Sequence, residues 1–413
     1  MKLFSRLLVV LFVLQACSEN PEVEPEPEPE PVGFLTVSLD ANYNSSNDMW
    51  VFGTDETGKV LDAQPVKPGV TVTLKALSPP EVVNLTVYYN NGGAKVNHLF
   101  YTYAGIARGD KITFGPSKSS GFLPPVAGKA TINIQNCDTY ATTNLSDGYT
   151  YSQLNSQNDT FIDASLDLRQ PASRILISSR TATDQPVYGW VDNVVNGGVY
   201  TVDFGALTPF PKTISVSYSE SISAVMIGKN TNDSGMGYFV TNDGFSKTPG
   251  TPASAKFGYM DGFDEYSFFV QTTNTMSNYY RHTHYKKYGT TMPLEVTLPD
   301  NSLSILNPSI GNFNFTYSSG YTYLYHYWKK EAPDHTIHWI VFTDKSTTPP
   351  ITELPEAFIV KYPAVSLSNL NYWISEFYKY EDGYTFSQFL HDIFEGGSVP
   401  DRHEYYSDSF SQR

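Results

Sequence analysis

Hydrophobic and polar positions alternate along most of this chain, in runs short enough to be β-strands. From Phe34 the first run places Leu35, Val37 and Leu39 on one face, the period of a half-buried strand. Met49–Gly53, Val70–Leu74 and Val82–Tyr89 follow, and Asn90-Asn91-Gly92-Gly93 supplies residues that tolerate the positive φ of a tight hairpin. A second unit reads as a repeat of the first. Ala130–Ile134 stands for the opening strand, Arg174–Ser179 beside Met49–Gly53, and Tyr188–Gly198 beside Val60–Gly69. Val199–Phe204 and Lys212–Ser219 then match Val70–Leu74 and Val82–Tyr89. Ser246–Ala255, rich in Pro, Ser and Thr, marks a further boundary. Beyond it the pattern predicts strands at Tyr266–Gln271, Leu294–Leu298, Asn312–Ser318, Tyr321–Trp328, Thr336–Phe342, Phe358–Tyr362 and Tyr372–Tyr380. One helix is expected, because Thr385 and Gln388 form a capping box and Phe386, Phe389, Leu390, Ile393 and Phe394 share a face. It should dock as a lid over the end of the third unit's sheet, with a loose polar tail after it. The expectation is an all-β protein of tandem β-sandwiches with one short C-terminal helix.

The amino terminus breaks this pattern. Lys2 and Arg6 precede the apolar run Leu7–Leu14, which is far too short to cross a hydrocarbon core of ~30 Å and reads as a signal peptide. Leu14-Gln15-Ala16-Cys17 resembles the lipobox of bacterial lipoproteins. That resemblance implies cleavage before Cys17, acylation of Cys17, and the membrane as a partner through that lipid. Ser18-Glu19-Asn20 is similar to the surface-export signal of Bacteroidota lipoproteins, which implies an outer-membrane protein facing the exterior. From Pro21 to Pro31 Pro and Glu alternate, the composition of a stiff, solvated stalk.

The resulting division is a signal peptide at 1–16, a lipidated Cys and stalk at 17–33, β-sandwiches at 34–125, 126–250 and 251–397, and the tail at 398–413. In the first unit a strand is followed by Asp55-x-x-Gly58, Val66-x-x-Gly69 and another strand, and the second unit repeats the Val-x-x-Gly step at Val194–Gly197 before its strand. This order resembles the carboxypeptidase-regulatory or transthyretin-like modules of Bacteroidota surface proteins, and implies an Ig-like or transthyretin-like sandwich.

Charge and cysteine count narrow the chemistry. Lys+Arg at 27 against Asp+Glu at 42 gives 27 − 42 = −15, a balance that excludes nucleic acid as a partner. Of two cysteines, Cys17 is taken by lipid, so Cys137 has no disulfide partner and reads as a small buried hydrophobe. No HExxH, GxSxG, P-loop or helix-opening GxGxxG is present, and no catalytic residue or cofactor is assigned. His282, His284, His335 and His338 are weak metal candidates, disfavoured by Arg281, Lys286 and Lys287 beside the first pair. The most informative constellation is Tyr321, Tyr323, Tyr325 and Tyr327, which alternation places on one face of one strand. Such a ladder is either a platform for sugar rings or an aromatic protein contact, or else ordinary packing on a half-buried sheet face. The chain therefore reads as a lipid-anchored, non-enzymatic binding or adhesion protein whose ligand is a glycan or a surface protein. Two alternatives stand beside it: a glycan-capture accessory lipoprotein of a polysaccharide-utilisation system, and an extracytoplasmic hydrolase whose site has no local signature.

Overall fold

The alternation at Phe34–Leu39 survives in three dimensions: strand β1 (Val32–Leu39) buries Leu35, Val37 and Leu39. The computed structural model describes residues 29–43, 48–93, 95–116, 123–138, 142–155, 161–218, 221–230, 235–245, 253–395 and 402–413. The signal peptide, Cys17 and most of the stalk lie outside the described residues. β1 is followed by β2 (Met49–Thr54), β3 (Val60–Val66), β4 (Thr71–Ala76), β5 (Val82–Asn91), β6 (Val96–Ala107) and β7 (Lys111–Phe114). They pair as β4-β1-β7 and β3-β2-β5-β6, with β1 antiparallel to β4 and parallel to β7. β5 and β6 form an antiparallel hairpin, but Asn90 and Asn91 remain paired in β5, with His98 and Asn97, and none of Asn90–Gly93 has a positive φ, so the turn lies beyond the asparagines.

This arrangement recurs twice. β8 (Gly128–Gln135), β9 (Thr142–Ser146), β10 (Tyr151–Asn155), β11 (Phe161–Leu168), β12 (Ala172–Arg180), β13 (Pro186–Val195) and β14 (Val199–Asp203) pair as β11-β8-β14 and β10-β9-β12-β13. The short β15 (Thr208–Pro209) extends the second of these sheets. Then β16 (Lys212–Tyr218), β17 (Ser221–Lys229), β18 (Tyr238–Phe245), β19 (Ala253–Tyr259), β20 (Glu265–Thr275), β21 (Tyr279–Gly289) and β22 (Glu295–Thr297) pair as β19-β16-β22 and β18-β17-β20-β21. In each case the opening strand is central in the smaller sheet, antiparallel to the fourth strand and parallel to the seventh. Sequence placed one unit over 126–250; pairing instead ends a set with β15 at Pro209 and opens another at Lys212. It also aligns Ala172–Arg180 with β5 rather than with β2.

The last set is a variant. β23 (Leu303–Asn307) and β24 (Asn314–Tyr317) form their own pair. β25 (Tyr323–Glu331), β26 (His335–Thr343), β27 (Asn371–Tyr380) and β28 (Tyr405–Gln412) take the order β26-β25-β27-β28, the same as the larger sheets above. Helix α1 (Glu356–Lys361) lies between β26 and β27, where the other sets have their fourth strand; helix α2 (Phe386–Phe394) follows β27. Two expectations are corrected here. Phe358–Tyr362 is not a strand: Pro355 and Glu356 suit a helix start, and only Phe358 is buried while Val360 is 79% exposed, so period two fails. Nor are residues 405–412 a loose tail. β28 pairs with β21 on one side and β27 on the other, with Phe410 fully buried.

β28 is what makes the sheet continuous. The larger sheets of the first, third and last sets join edge to edge into one of twelve strands, β18-β17-β20-β21-β28-β27-β25-β26-β6-β5-β2-β3. The seams are antiparallel at β21–β28 and parallel at β26–β6. Register runs Tyr103, Phe342, Tyr325, Glu376, Ser409 and His282 along one face. The β4-β1-β7 sheet covers the Tyr103 side, with Phe34, Val37 and Leu74 packed there. The β19-β16-β22 sheet covers the opposite side, where Tyr285 and Phe268 meet Ile214 and Phe257.

Candidate functional site

At the β21–β28 seam the third set's connector and the last set's first loop leave a cleft of about 440 Å³, inside the ~300–1,000 Å³ usual for small-ligand sites. Its floor is β27 and β28; Pro299 to Asn301 make one wall and Tyr317 to Tyr321 the other. Asp408 anchors the floor. Alternation on β28 turns it inward with Tyr406 and Phe410, and it is 2% exposed. It accepts hydrogen bonds from Arg281 Nε (3.2 Å), Thr283 Oγ1 (2.5 Å), Asn301 Nδ2 (2.6 Å) and Tyr317 OH (2.7 Å). A carboxylate taken from water at this depth needs that many donors and a cation. Arg281 also donates to Asp300 (2.5 Å) and to the carbonyl of Pro299, so one guanidinium fixes both the seam and the wall.

The cleft's apolar surface comes from rings. Tyr317 stacks on buried Phe377 with centroids 3.9 Å apart and planes 7° apart, and Tyr321 meets Phe377 edge-on at 5.5 Å. Burial and, second, the charge of Asp408 push the Tyr317 hydroxyl far above its ordinary value, so it stays neutral, donating to Asp408 and accepting from Asn301 Nδ2 at 2.8 Å. Glu404 accepts from Tyr285 OH at 2.8 Å and from Lys287 Nζ. At the rim Lys379 pairs with Glu381 at 2.8 Å.

The structure divides the tyrosine ladder. Tyr321 precedes β25 and lies in the cleft. Tyr323 is 1% exposed beneath α2, stacked on Phe389 at 4.1 Å, and is a core residue. Tyr325 and Tyr327 stay half-buried on the opposite face from the cleft, bonded to Glu376 (2.5 Å) and His338 (2.5 Å). The histidines are not brought together either. His282 and His284 share a face of β21 with centroids 6.5 Å apart, whereas His335 and His338 lie on β26 with three strands between. Among the described residues no three His, Cys, Asp or Glu side chains are placed to hold a metal. Cys137 is buried, and burial raises its thiol pKa.

Sequence reasoning missed Asp408, Arg281, Asn301, Phe377 and Tyr406 as site residues. The available signal was the alternation of Tyr406, Asp408 and Phe410 with serines in a segment read as tail. Two Ser–His contacts occur among the described residues: Ser407 Oγ to His284 Nδ1 at 3.2 Å on the far face, and Ser375 Oγ to His326 Nδ1 at 2.6 Å, where both residues are fully buried. Ser407 is 1% exposed, which denies a carbonyl substrate access to that oxygen.

Fold and site thus define an all-β protein of strand sets fused through one sheet, with an aromatic and polar cleft at a seam. No family model matches the chain, and no curated protein matches it. Among solved structures it is similar to a Ca2+-stabilised adhesin that helps an Antarctic bacterium reach out and bind ice. The identity is 8% over 77% of this chain and 92% of that one, with a TM-score of 0.14. A second similarity is to a 1.5-MDa bacterial ice-binding adhesin, 8% identical over 64% of this chain and 98% of that one at a TM-score of 0.13. A third is to the native conformation of E. coli alpha-2-macroglobulin, 9% identical over 94% of this chain and 29% of that one, also at 0.13. Likenesses at these TM-scores carry no argument about what this chain does.

Proposed function

We propose that this chain is a lipid-anchored, surface-exposed, non-enzymatic binding or adhesion protein of the bacterial outer membrane, built from transthyretin-like units. One arrangement carries the reading: successive strand sets of one order stand behind an acylatable Cys17 and an acidic Pro–Glu stalk. Several acyl chains at ~0.8 kcal/mol per buried CH₂ make a lasting anchor. A Pro–Glu stretch of sixteen residues, 18–33, would reach on the order of 50 Å if extended at ~3.1 Å per residue, enough to carry the strand sets beyond the headgroups. The test is palmitate labelling of cells together with protease shaving. Wild-type chain should incorporate label, sediment with membranes and be cut on intact cells. Cys17→Ala should lose label and membrane association, and retention of both in that variant would defeat the reading.

The cleft favours a second reading, a glycan-capture accessory lipoprotein. Ring faces beside a few hydrogen-bonding groups are the chemistry by which proteins hold sugars, which have an apolar face and a polar edge. A glycan array probed with the purified chain separates this from adhesion to protein.

A further inference from the structure

The cleft carries three carboxylates, and each already has its cation. Asp408 is paired with Arg281, Glu404 with Lys287, and Glu381 with Lys379. Among the lining groups charge is therefore balanced before any ligand arrives, and Asp300 on the wall, sharing Arg281, adds one negative charge beside them. An anionic ligand would meet three carboxylates whose cations are engaged, and a cationic one would have to displace an existing partner. What the cleft offers instead is uncharged. Tyr321 and Tyr406 line it, and among the described residues neither hydroxyl makes a hydrogen bond. Tyr317 and Tyr321 supply ring surface, and Thr297, Ser319 and Asn301 add small polar groups.

We propose that this cleft binds a neutral, polyhydroxylated ring, an uncharged sugar unit of an oligosaccharide. The proposal rests on the glycan-capture reading and narrows it. A sugar's C–H face packs against Tyr321, while its hydroxyls exchange donors and acceptors with the Tyr321 and Tyr406 hydroxyls and donate to Asn301 Oδ1, whose Nδ2 donors are already taken by Tyr317 and Asp408. A uronate or sulfate in the same place would be desolvated without a cation to receive it.

The experiment is calorimetric titration of the full chain, purified in detergent, with two panels at low and high salt. One panel holds neutral hexose and pentose oligosaccharides, and the other holds uronate-containing and sulfated ones. At least one neutral oligosaccharide should bind, with an affinity unchanged by salt because no ligand charge is there to be screened. Tyr321→Ala should weaken it by roughly tenfold, the scale of one lost aromatic contact. Tyr406→Phe, which deletes only a hydroxyl, should weaken it several-fold and guards against a Tyr321→Ala variant that fails to fold. Tyr327→Ala, on the opposite face, should leave binding unchanged. Preference for the anionic panel, salt-weakened binding, or neutral binding indifferent to both cleft variants would overturn the cleft proposal and leave glycan capture standing. Binding of no oligosaccharide in either panel would overturn both.

Discussion

Tyr323 and Tyr327 stand two residues apart from a common neighbour on one strand face, yet their surroundings differ completely. Alternation along β25 is a local property and was legible in the sequence. The cover over Tyr323 comes from α2, far downstream, and no local pattern reports it. Tyr323→Ala should therefore cost about 3–5 kcal/mol, as for other fully buried aromatic rings, and Tyr327→Ala under about 1.5 kcal/mol. Urea unfolding of the two variants measures the contrast, and equal losses would contradict the burial described. Two buried histidines make stability depend on pH. Burial and, second, the nearby His335 hold His98 down to about 4, and burial holds His326 down to about 3. Both lie below the unfolded value of about 6.5, so above that pH neither state carries a proton and nothing is lost. As pH falls below 6.5 the unfolded chain takes up protons that the fold refuses, and stability drops progressively toward pH 4 and then 3. Unfolding midpoints from pH 7 to 4 should fall, and a His98→Gln, His326→Gln double variant should flatten that slope.

Elements were read well where one chemical signal governed them. The Thr385–Gln388 capping box is present in full, with Gln388 N–H donating to Thr385 Oγ1 at 3.3 Å and Thr385 N–H to Gln388 Oε1 at 2.8 Å. Thr385→Ala should cost about 1 kcal/mol, seen as a lower melting temperature with β-sheet content intact. The docking of α2 is broader than a lid on one unit. Phe389 packs on Tyr323 and Phe342, while Phe394 packs on Tyr103 and Phe114 of the first set and its carbonyl accepts from Gly115 N–H at 2.8 Å. Reading failed at α1 and β28 for opposite reasons. Phe358-Ile-Val360 has strand composition but one buried residue, whereas Tyr405–Gln412 looks polar because serines occupy every second place. Serine in an interior strand is tolerated when ladder bonds satisfy the backbone on both sides, which depends on partners distant in sequence.

At the scale of the molecule the sequence could supply the repeat but not the fusion. The β26–β6 seam joins residues such as Trp339 and Phe100, and these pairings carry no signature in either strand. The β21–β28 seam is pinned by the buried Arg281–Asp408 pair, both side chains at most 5% exposed. Asp408→Ala leaves Arg281 Nε and the Thr283, Asn301 and Tyr317 donors without their buried acceptor and should cost about 3–5 kcal/mol, whereas Asp300→Ala, whose carboxylate is 90% exposed, should cost under about 1 kcal/mol. Hydrogen exchange should accelerate on β21 and β28 in the first variant alone. A similar pair, Arg180 with Asp243 at 2.9 Å, ties β12 to β18 and so the second set to the third. The central place of β28 also governs timing. During synthesis the ribbon stays in two pieces until residues 405–412 have left the ribosome, with β21 and β27 each presenting a bare edge. A truncation that removes residues 405–412 would leave those edges permanently unmatched, turning the loss of one short strand into a seed for aggregation.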